Sequence, residues 1–255
     1  MKLFSKIYGK GDSLIILHGL FGMSDNWNSI GKRLSQNFEV HLLDLRNHGR
    51  SPHHSEFNYE VMNEDLKEYI QDYSLQKAII LGHSLGGKVA MNLASNFPSL
   101  LKKMIVIDIA PKEYSVDFHI NILDTLLQLK LNKYSHRDKI DLELQKSIKD
   151  HTVRLFLMKN LYRNQEKEFA WRFNIYALKD QIKNISTANF ISHKIDVETL
   201  FIKGEKSNHI TLDDYSKINN YFPFSSIKVI KNTGHWVHTN EPLLLEKIVR
   251  NFIRD

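Results

Sequence analysis

The sequence predicts a mostly parallel, doubly wound α/β sheet interrupted by a helical insert. Three observations lead there. Six short apolar runs recur at Leu14–Leu17, Val40–Leu43, Ala78–Leu81, Met104–Ile107, Thr199–Ile202 and Ile227–Ile230. Several are apolar on both faces, as strands covered on two sides must be. Segments of helical period lie between most of them, and strands alternating with helices argue for a parallel sheet. Finally, the glycines sit at the two ends of the chain, with none between Gly87 and Gly204.

In chain order, the first clear helix puts Val89, Ala90, Leu93, Ala94 and Phe97 on one face and stops at Pro98. From Lys112 to Ile195 the spacing is helical only: Ile122/Leu126/Leu129, Ile140/Leu144/Ile148, Val153/Phe156/Leu157/Leu161 and Phe169/Phe173/Tyr176/Ala177. Four helices placed between two strands read as a lid, so the expected division is a core of residues 1–111 and 196–255 with a cap of residues 112–195. A last helix starts at Pro242, a residue suited to a first helical turn, and continues through Leu245, Ile248, Val249 and Phe252.

Composition narrows the function. The 255 residues suffice for one large α/β domain. With no cysteine, disulfides, thiolate metal sites and a cysteine nucleophile are all excluded. The charge of +6 comes from 35 Lys+Arg against 29 Asp+Glu, but no basic run exceeds two residues. A scattered excess reads as a solvated surface, so no nucleic-acid partner is expected. No apolar stretch is long enough to span a membrane, and Met1–Lys6 lacks the apolar core of a signal peptide. The expectation is a cytoplasmic protein without membrane insertion. Glycine is scarce, 11 where average usage gives roughly 18. Those present should stand where the backbone requires them.

The sharpest signal is Gly82-His83-Ser84-Leu85-Gly86-Gly87, between the strand at Ala78 and the helix ending at Pro98. Serine in G-x-S-x-G spacing at a strand-to-helix junction makes a strained turn, and the flanking glycines avoid a clash. The hydroxyl then stands at a helix N-terminus, where N–H groups and the helix dipole favour negative charge. Ser84 is the expected nucleophile. A serine hydroxyl also needs a base and an oxyanion hole. His18-Gly19-Leu20-Phe21-Gly22 follows the first strand, and the N–H groups of Leu20 and Leu85 are the expected oxyanion donors, with Phe21 a lesser one. His18 itself reads as a structural hydrogen-bonder. Among thirteen histidines, His235 is the expected base. It follows Gly234 near the C-terminus, in the order nucleophile, acid, histidine. His238 shares its loop without that glycine. The acid is the least constrained member. Ser207 stands where an aspartate is usual, in the loop after the strand at Thr199. Asp108, inside an apolar strand end, is costly unless partnered, and His235 would partner it. Glu205, Asp213 and Asp214 are its rivals. His48, in the loop Asp44–Ser51, could act directly but more readily belongs to a structural turn. Trp171-Arg172-Phe173 could line a pocket or pack the insert.

Together, His18–Gly22, Leu43–Pro52, Gly82–Lys88, Ile107–Pro111, Trp171–Asn174 and Gly234–His238 make the chain resemble the α/β-hydrolase superfamily. It is similar, more narrowly, to the small bacterial esterase/thioesterase group called YbfF. The resemblance implies a core domain with a small helical cap, carboxylic ester hydrolysis, acyl-CoA thioesters as further substrates, and no cofactor or metal. It also supports Asp108 as the acid. Other readings kept open are cofactor-free perhydrolase or haloperoxidase activity, cleavage of carbon–carbon bonds, and a ligand-binding protein that does not turn over. Halogenated and epoxide substrates are disfavoured, because in this superfamily they go with Asp where Ser84 stands.

Overall fold

The structure, a computed structural model, describes residues 1–187 and 191–254. The chain opens with β1 (Ser5–Tyr8), β2 (Asp12–Leu17), α1 (Asn28–Leu34), β3 (Phe38–Leu43) and α2 (Tyr59–Asp72). It continues through β4 (Ala78–His83), α3 (Leu85–Asn96) and β5 (Leu101–Ile107). An insert follows, containing α4 (Asp117–Gln128), α5 (Arg137–Ser147), α6 (His151–Met158), β6 (Leu161–Arg163), β7 (Phe169–Trp171) and α7 (Ile175–Gln181). The sheet resumes with β8 (Thr199–Gly204), α8 (Asp213–Tyr221) and β9 (Ser225–Ile230), and the chain closes with α9 (Val237–Asn240) and α10 (Pro242–Arg254).

Seven strands form one sheet in the order β1-β3-β2-β4-β5-β8-β9, all parallel except β1, which runs antiparallel to β3. The six apolar runs of the sequence are its six parallel strands. In β2, β3, β4, β5 and β8 the side chains alternate between two covered layers, the period-two consequence of the pleat, while the edge strand β9 buries only Ile230. Leu14, Ile16, Ile79, Leu81, Ile105 and Ile107 pack under α1 and α10. Ile15, Leu17, Ile80 and Val106 face the opposite side, under α2 and α3. Burying both faces leaves the carboxyl ends of the strands as the free rim, where open α/β sheets place their sites.

The insert differs from its sequence reading in one place. Phe169 and Phe173 sit at helical spacing, yet Phe169 lies on β7, which pairs with β6 through Leu161↔Trp171. A turn at Asn164–Lys167 closes this hairpin: Lys167 takes the left-handed φ of 63°, and Asn164 N–H bonds Glu168 C=O at 2.9 Å. Helix resumes only at Asn174, whose side chain caps α7 by accepting from Ala177 N–H. The expected cap of residues 112–195 includes residues 188–190, which lie outside the described residues. Among the described residues, no helix is long and apolar enough to cross a membrane.

Candidate active site

β4 delivers Ser84 to the rim of the sheet. Its backbone takes φ 51°, ψ −115°, a left-handed strain that a non-glycine residue holds only where its surroundings fix it. Here they do. Ser84 N–H bonds Ile107 C=O on β5 at 3.0 Å, and Ser84 C=O accepts from Lys88 N–H one turn into α3 at 3.1 Å. The turn also demands bare backbone: a Cβ on Gly82 would lie 2.2 Å from Gly86 C=O, and one on Gly86 only 2.5 Å from Leu17 C=O. The scarce glycines near Ser84 are therefore steric requirements.

Asp108 ends β5 with a second left-handed φ of 52°, and its side chain is fully buried. It is not left unpartnered. Oδ1 accepts Gly204 N–H at 3.0 Å, and Oδ2 accepts both the Ser207 hydroxyl and His235 Nδ1–H, the latter at 2.8 Å. Ser207, standing where an acid was expected, thus donates to the carboxylate one strand away. Burial raises the Asp108 carboxyl while the bonds from Ser207 and Gly204 oppose it. Two rivals are engaged elsewhere: Glu205 accepts Asn232 N–H at 2.8 Å and Asp214 pairs with Lys112 at 2.6 Å, while Asp213 lies in the first turn of α8 beside Asp214.

His235 C=O accepts His83 Nε2–H at 3.0 Å, which fixes the loop, and the ring stacks on His209 at 3.8 Å between centroids. Burial lowers its pKa to about 3, and His238 and His119 push the same way, so the imidazole is neutral near pH 7. His238 points away from Asp108: it stacks on Trp27 at 4.5 Å, and its Nδ1 is buried without a hydrogen bond. Asp108, His209 and His235 offer ligand atoms within 4.8 Å of one another. The face-to-face stacking of the two imidazoles keeps one ion out of both ring planes, so this donor set suits hydrogen bonding rather than a metal.

The turn at Gly19–Gly22 is held by His18 and His48, both read as structural from the sequence, and by Asn160, which the sequence did not single out. His18 donates from Nδ1 to Gly19 C=O at 2.8 Å and accepts Leu45 N–H at Nε2, 3.0 Å away, so it is structural. His48 donates from Nδ1 to Arg46 C=O and accepts Phe21 N–H at 3.1 Å. That bond occupies the Phe21 amide, and Leu20 beside it borders both cavities at Ser84. Asn160 of the insert donates to Phe21 C=O at 2.7 Å, tying the turn from above. Burial lowers His18 to about 4 and His48 to about 3, which keeps both neutral, as acceptor roles require. Trp171 and Phe173 stack on each other at 5.7 Å and Arg172 lies over Tyr162, so this tripeptide packs the insert.

Ser84 and His235 open onto one cavity of about 200 Å³ beneath the insert, walled by Phe21, Ile122, Phe156 and Trp236. A second cavity, about 80 Å³, continues from Ser84 past Leu85 to Lys88.

Residues 12–242 match the model of the alpha/beta hydrolase fold family. The chain is 35% identical over 244 residues to the sn-1-specific diacylglycerol lipase ABHD11 of Danio rerio, covering 92% of this chain and 77% of that protein. It is 30% identical over 242 residues to esterase YbfF of Escherichia coli strain K12, covering 95% and 93%. A solved structure described as a marine microorganism esterase superposes with a TM-score of 0.95 at 38% identity, over 98% of this chain and 99% of that one. A strained serine turn at the carboxyl rim of a mostly parallel sheet, joined to a family match over nearly the whole length, places this chain in the α/β-hydrolase fold family.

Proposed function

We propose that the chain is a carboxylic ester hydrolase in which Ser84, His235 and Asp108 form the catalytic triad. The observation that carries this reading is the 2.8 Å bond from His235 Nδ1–H to Asp108, in a loop that opens onto the same cavity as the strained Ser84. With Nδ1 carrying the proton, Nε2 has the free lone pair a base needs. Ser84 Oγ attacks the ester carbonyl carbon while His235 Nε2 takes the hydroxyl proton. The carbonyl oxygen, now anionic, is held by the N–H groups of Leu20 and Leu85. Collapse breaks the ester C–O bond, and the departing alkoxide takes the proton from His235. Water repeats the sequence, releasing the acid and restoring Ser84. Asp108 orients the imidazole and stabilises its cation. The described residues of the insert act as a cap, with Ile122, Val153 and Phe156 walling the cavity. Acyl thioesters, acyl-CoA among them, undergo the same steps with a thiolate as leaving group. The relatives named as esterase and lipase support the substrate class.

The test is turnover of p-nitrophenyl esters from acetyl to dodecanoyl, with palmitoyl-CoA alongside, by the wild type and by Ser84→Ala. Wild type should turn over repeatedly, and Ser84→Ala should lose about 10⁴–10⁶ in kcat. Turnover within tenfold of wild type in Ser84→Ala would overturn the assignment.

A further inference from the structure

The two cavities at Ser84 differ in chemistry as well as size. Leu20, Ser84, His119 and His209 border both. The larger one contains His235 and Trp236 and is walled by Phe118, Ile122, Val153 and Phe156. The smaller, with less than half that volume, contains Leu85 and Lys88 and is edged by Tyr59, Tyr114 and Ser186.

The reaction decides which half of an ester enters which cavity. His235 returns its proton to the departing oxygen, so the leaving group occupies the side that contains His235. The carbonyl oxygen points at the Leu20 and Leu85 amides. The acyl chain is left with the side lined by Leu85, which continues to Lys88.

Lys88 is an unusual wall for such a pocket. It is 3% exposed, one helical turn after the nucleophile. Its Nζ donates to Ser186 C=O at 3.0 Å and Thr187 C=O at 2.9 Å, and lies 4.9 Å from the centre of the Tyr114 ring. The two carbonyls take two of its three N–H donors, the third meets no hydrogen-bond acceptor among the described residues, only the face of the Tyr114 ring, and among them the ammonium forms no ion pair. Burial accordingly lowers its pKa to about 7. A buried cation short of partners is costly, and a ligand acceptor placed against it recovers part of that cost.

Building on the serine-hydrolase reading, we infer that the pocket at Lys88 is an acyl subsite for a short acyl group bearing an oxygen acceptor at its far end, and that the apolar cavity beside His235 takes a bulky apolar alcohol or thiol part. The enzyme is selective for small, polar acyl groups on large hydrophobic leaving groups, and long-chain acyl groups on small alcohols are poor substrates.

Two comparisons test this. Octyl acetate and methyl nonanoate are isomers that place the same bulk on opposite sides of the ester. Wild type should favour octyl acetate in kcat/KM by about tenfold or more. Equal rates, or a preference for methyl nonanoate, would overturn the sidedness. The second comparison uses octyl esters of pentanoic acid, 4-oxopentanoic acid and succinic acid (as the half-ester). Wild type should prefer the two oxygen-bearing acyl groups over pentanoate by about tenfold, the value of one charge-assisted hydrogen bond. Preference for the half-ester alone identifies a carboxylate as the acceptor, and preference for the keto acid alone a neutral oxygen. Lys88→Met should bring the oxygen-bearing and pentanoyl rates together. That ratio is independent of how much of the variant is folded, so partial instability does not obscure it. A wild type indifferent to the oxygen, or a Lys88→Met enzyme that keeps its preference, refutes the role of Lys88. Residual turnover in Ser84→Ala strikes at the mechanism, whereas an inverted isomer ratio in an enzyme that needs Ser84 strikes only at the subsites.

Discussion

Asp108→Asn probes the arrangement most directly, because the three donors around the carboxylate dictate how the amide must sit. Asparagine offers one oxygen and one NH₂ where aspartate offers two acceptors. If the oxygen stays with Gly204 N–H, the NH₂ faces the Ser207 hydroxyl and His235 Nδ1. The hydroxyl rotates to accept, but Nδ1 can accept only by moving its proton to Nε2, and the ring then cannot take a proton from Ser84. The reverse orientation keeps the productive tautomer but sets two buried N–H groups against each other at Gly204. That leaves a donor unsatisfied at about 1–3 kcal/mol. The unproductive form is therefore favoured by roughly 5- to 150-fold, and the imidazolium additionally loses its counter-charge. Together these should lower kcat by about 10⁴. Saturating p-nitrophenyl butyrate hydrolysis measures the loss, and a thermal melt confirms the fold. A kcat within tenfold of wild type would mean that something other than Asp108 orients the histidine.

Two pH responses follow from the buried histidines. His235 serves as a base only when neutral, and burial lowers it from 6.5 to about 3. Activity should therefore persist as pH drops below 6.5 and be lost only near the folded value. An acid limb of kcat/KM with its midpoint at or above pH 6.5 would contradict this. Stability should move the other way: His18 and His48, folded values about 4 and 3, titrate near 6.5 once unfolded. The unfolded chain then binds more protons, so stability is intact above pH 6.5 and declines below it. At pH 5 the two together cost about 4 kcal/mol, added to what the other buried histidines cost, and His48→Gln should reduce the stability lost between pH 7 and pH 5 in urea unfolding by about 2 kcal/mol.

Much of the fold was legible because its signals are local. The doubly apolar runs announce a covered parallel sheet, and Gly82, Gly86 and Gly87 are spent where a Cβ would strike backbone or a neighbouring side chain. Asp108 stood out because a carboxylate in an apolar strand end needs a partner. What escaped was either marginal or long-range. β1, the segment Ser-Lys-Ile-Tyr, is a half-buried edge strand with too little apolar pattern to register. The β6–β7 hairpin was hidden because Phe169 and Phe173 mimic a helical stripe. The roles of Asn160 and His209 depend on partners 139 and 26 positions away (160−21 and 235−209), which no spacing rule connects. Lys88 carries no sequence signal of its own, because the carbonyls it bonds, those of Ser186 and Thr187, lie 98 and 99 positions away.

The placement of Asp108 also bears on how freely this enzyme can be rebuilt. The chain leaves the sheet for the insert at Ile109, immediately after the carboxylate. Ala110 N–H is already anchored to the Tyr114 hydroxyl at 2.8 Å, and Ile109 packs against Gly87. Had the acid come from the loop after β8, residues 112–195 could be exchanged as a cassette with both splice points clear of the chemistry. Here the upstream splice falls within a few residues of Asp108, the proposed acid, so a transplanted cap carries the geometry of that carboxylate with it. Caps from other family members that place their acid elsewhere are poor donors for this core, whereas caps from chains with an aspartate at this strand end should graft as modules.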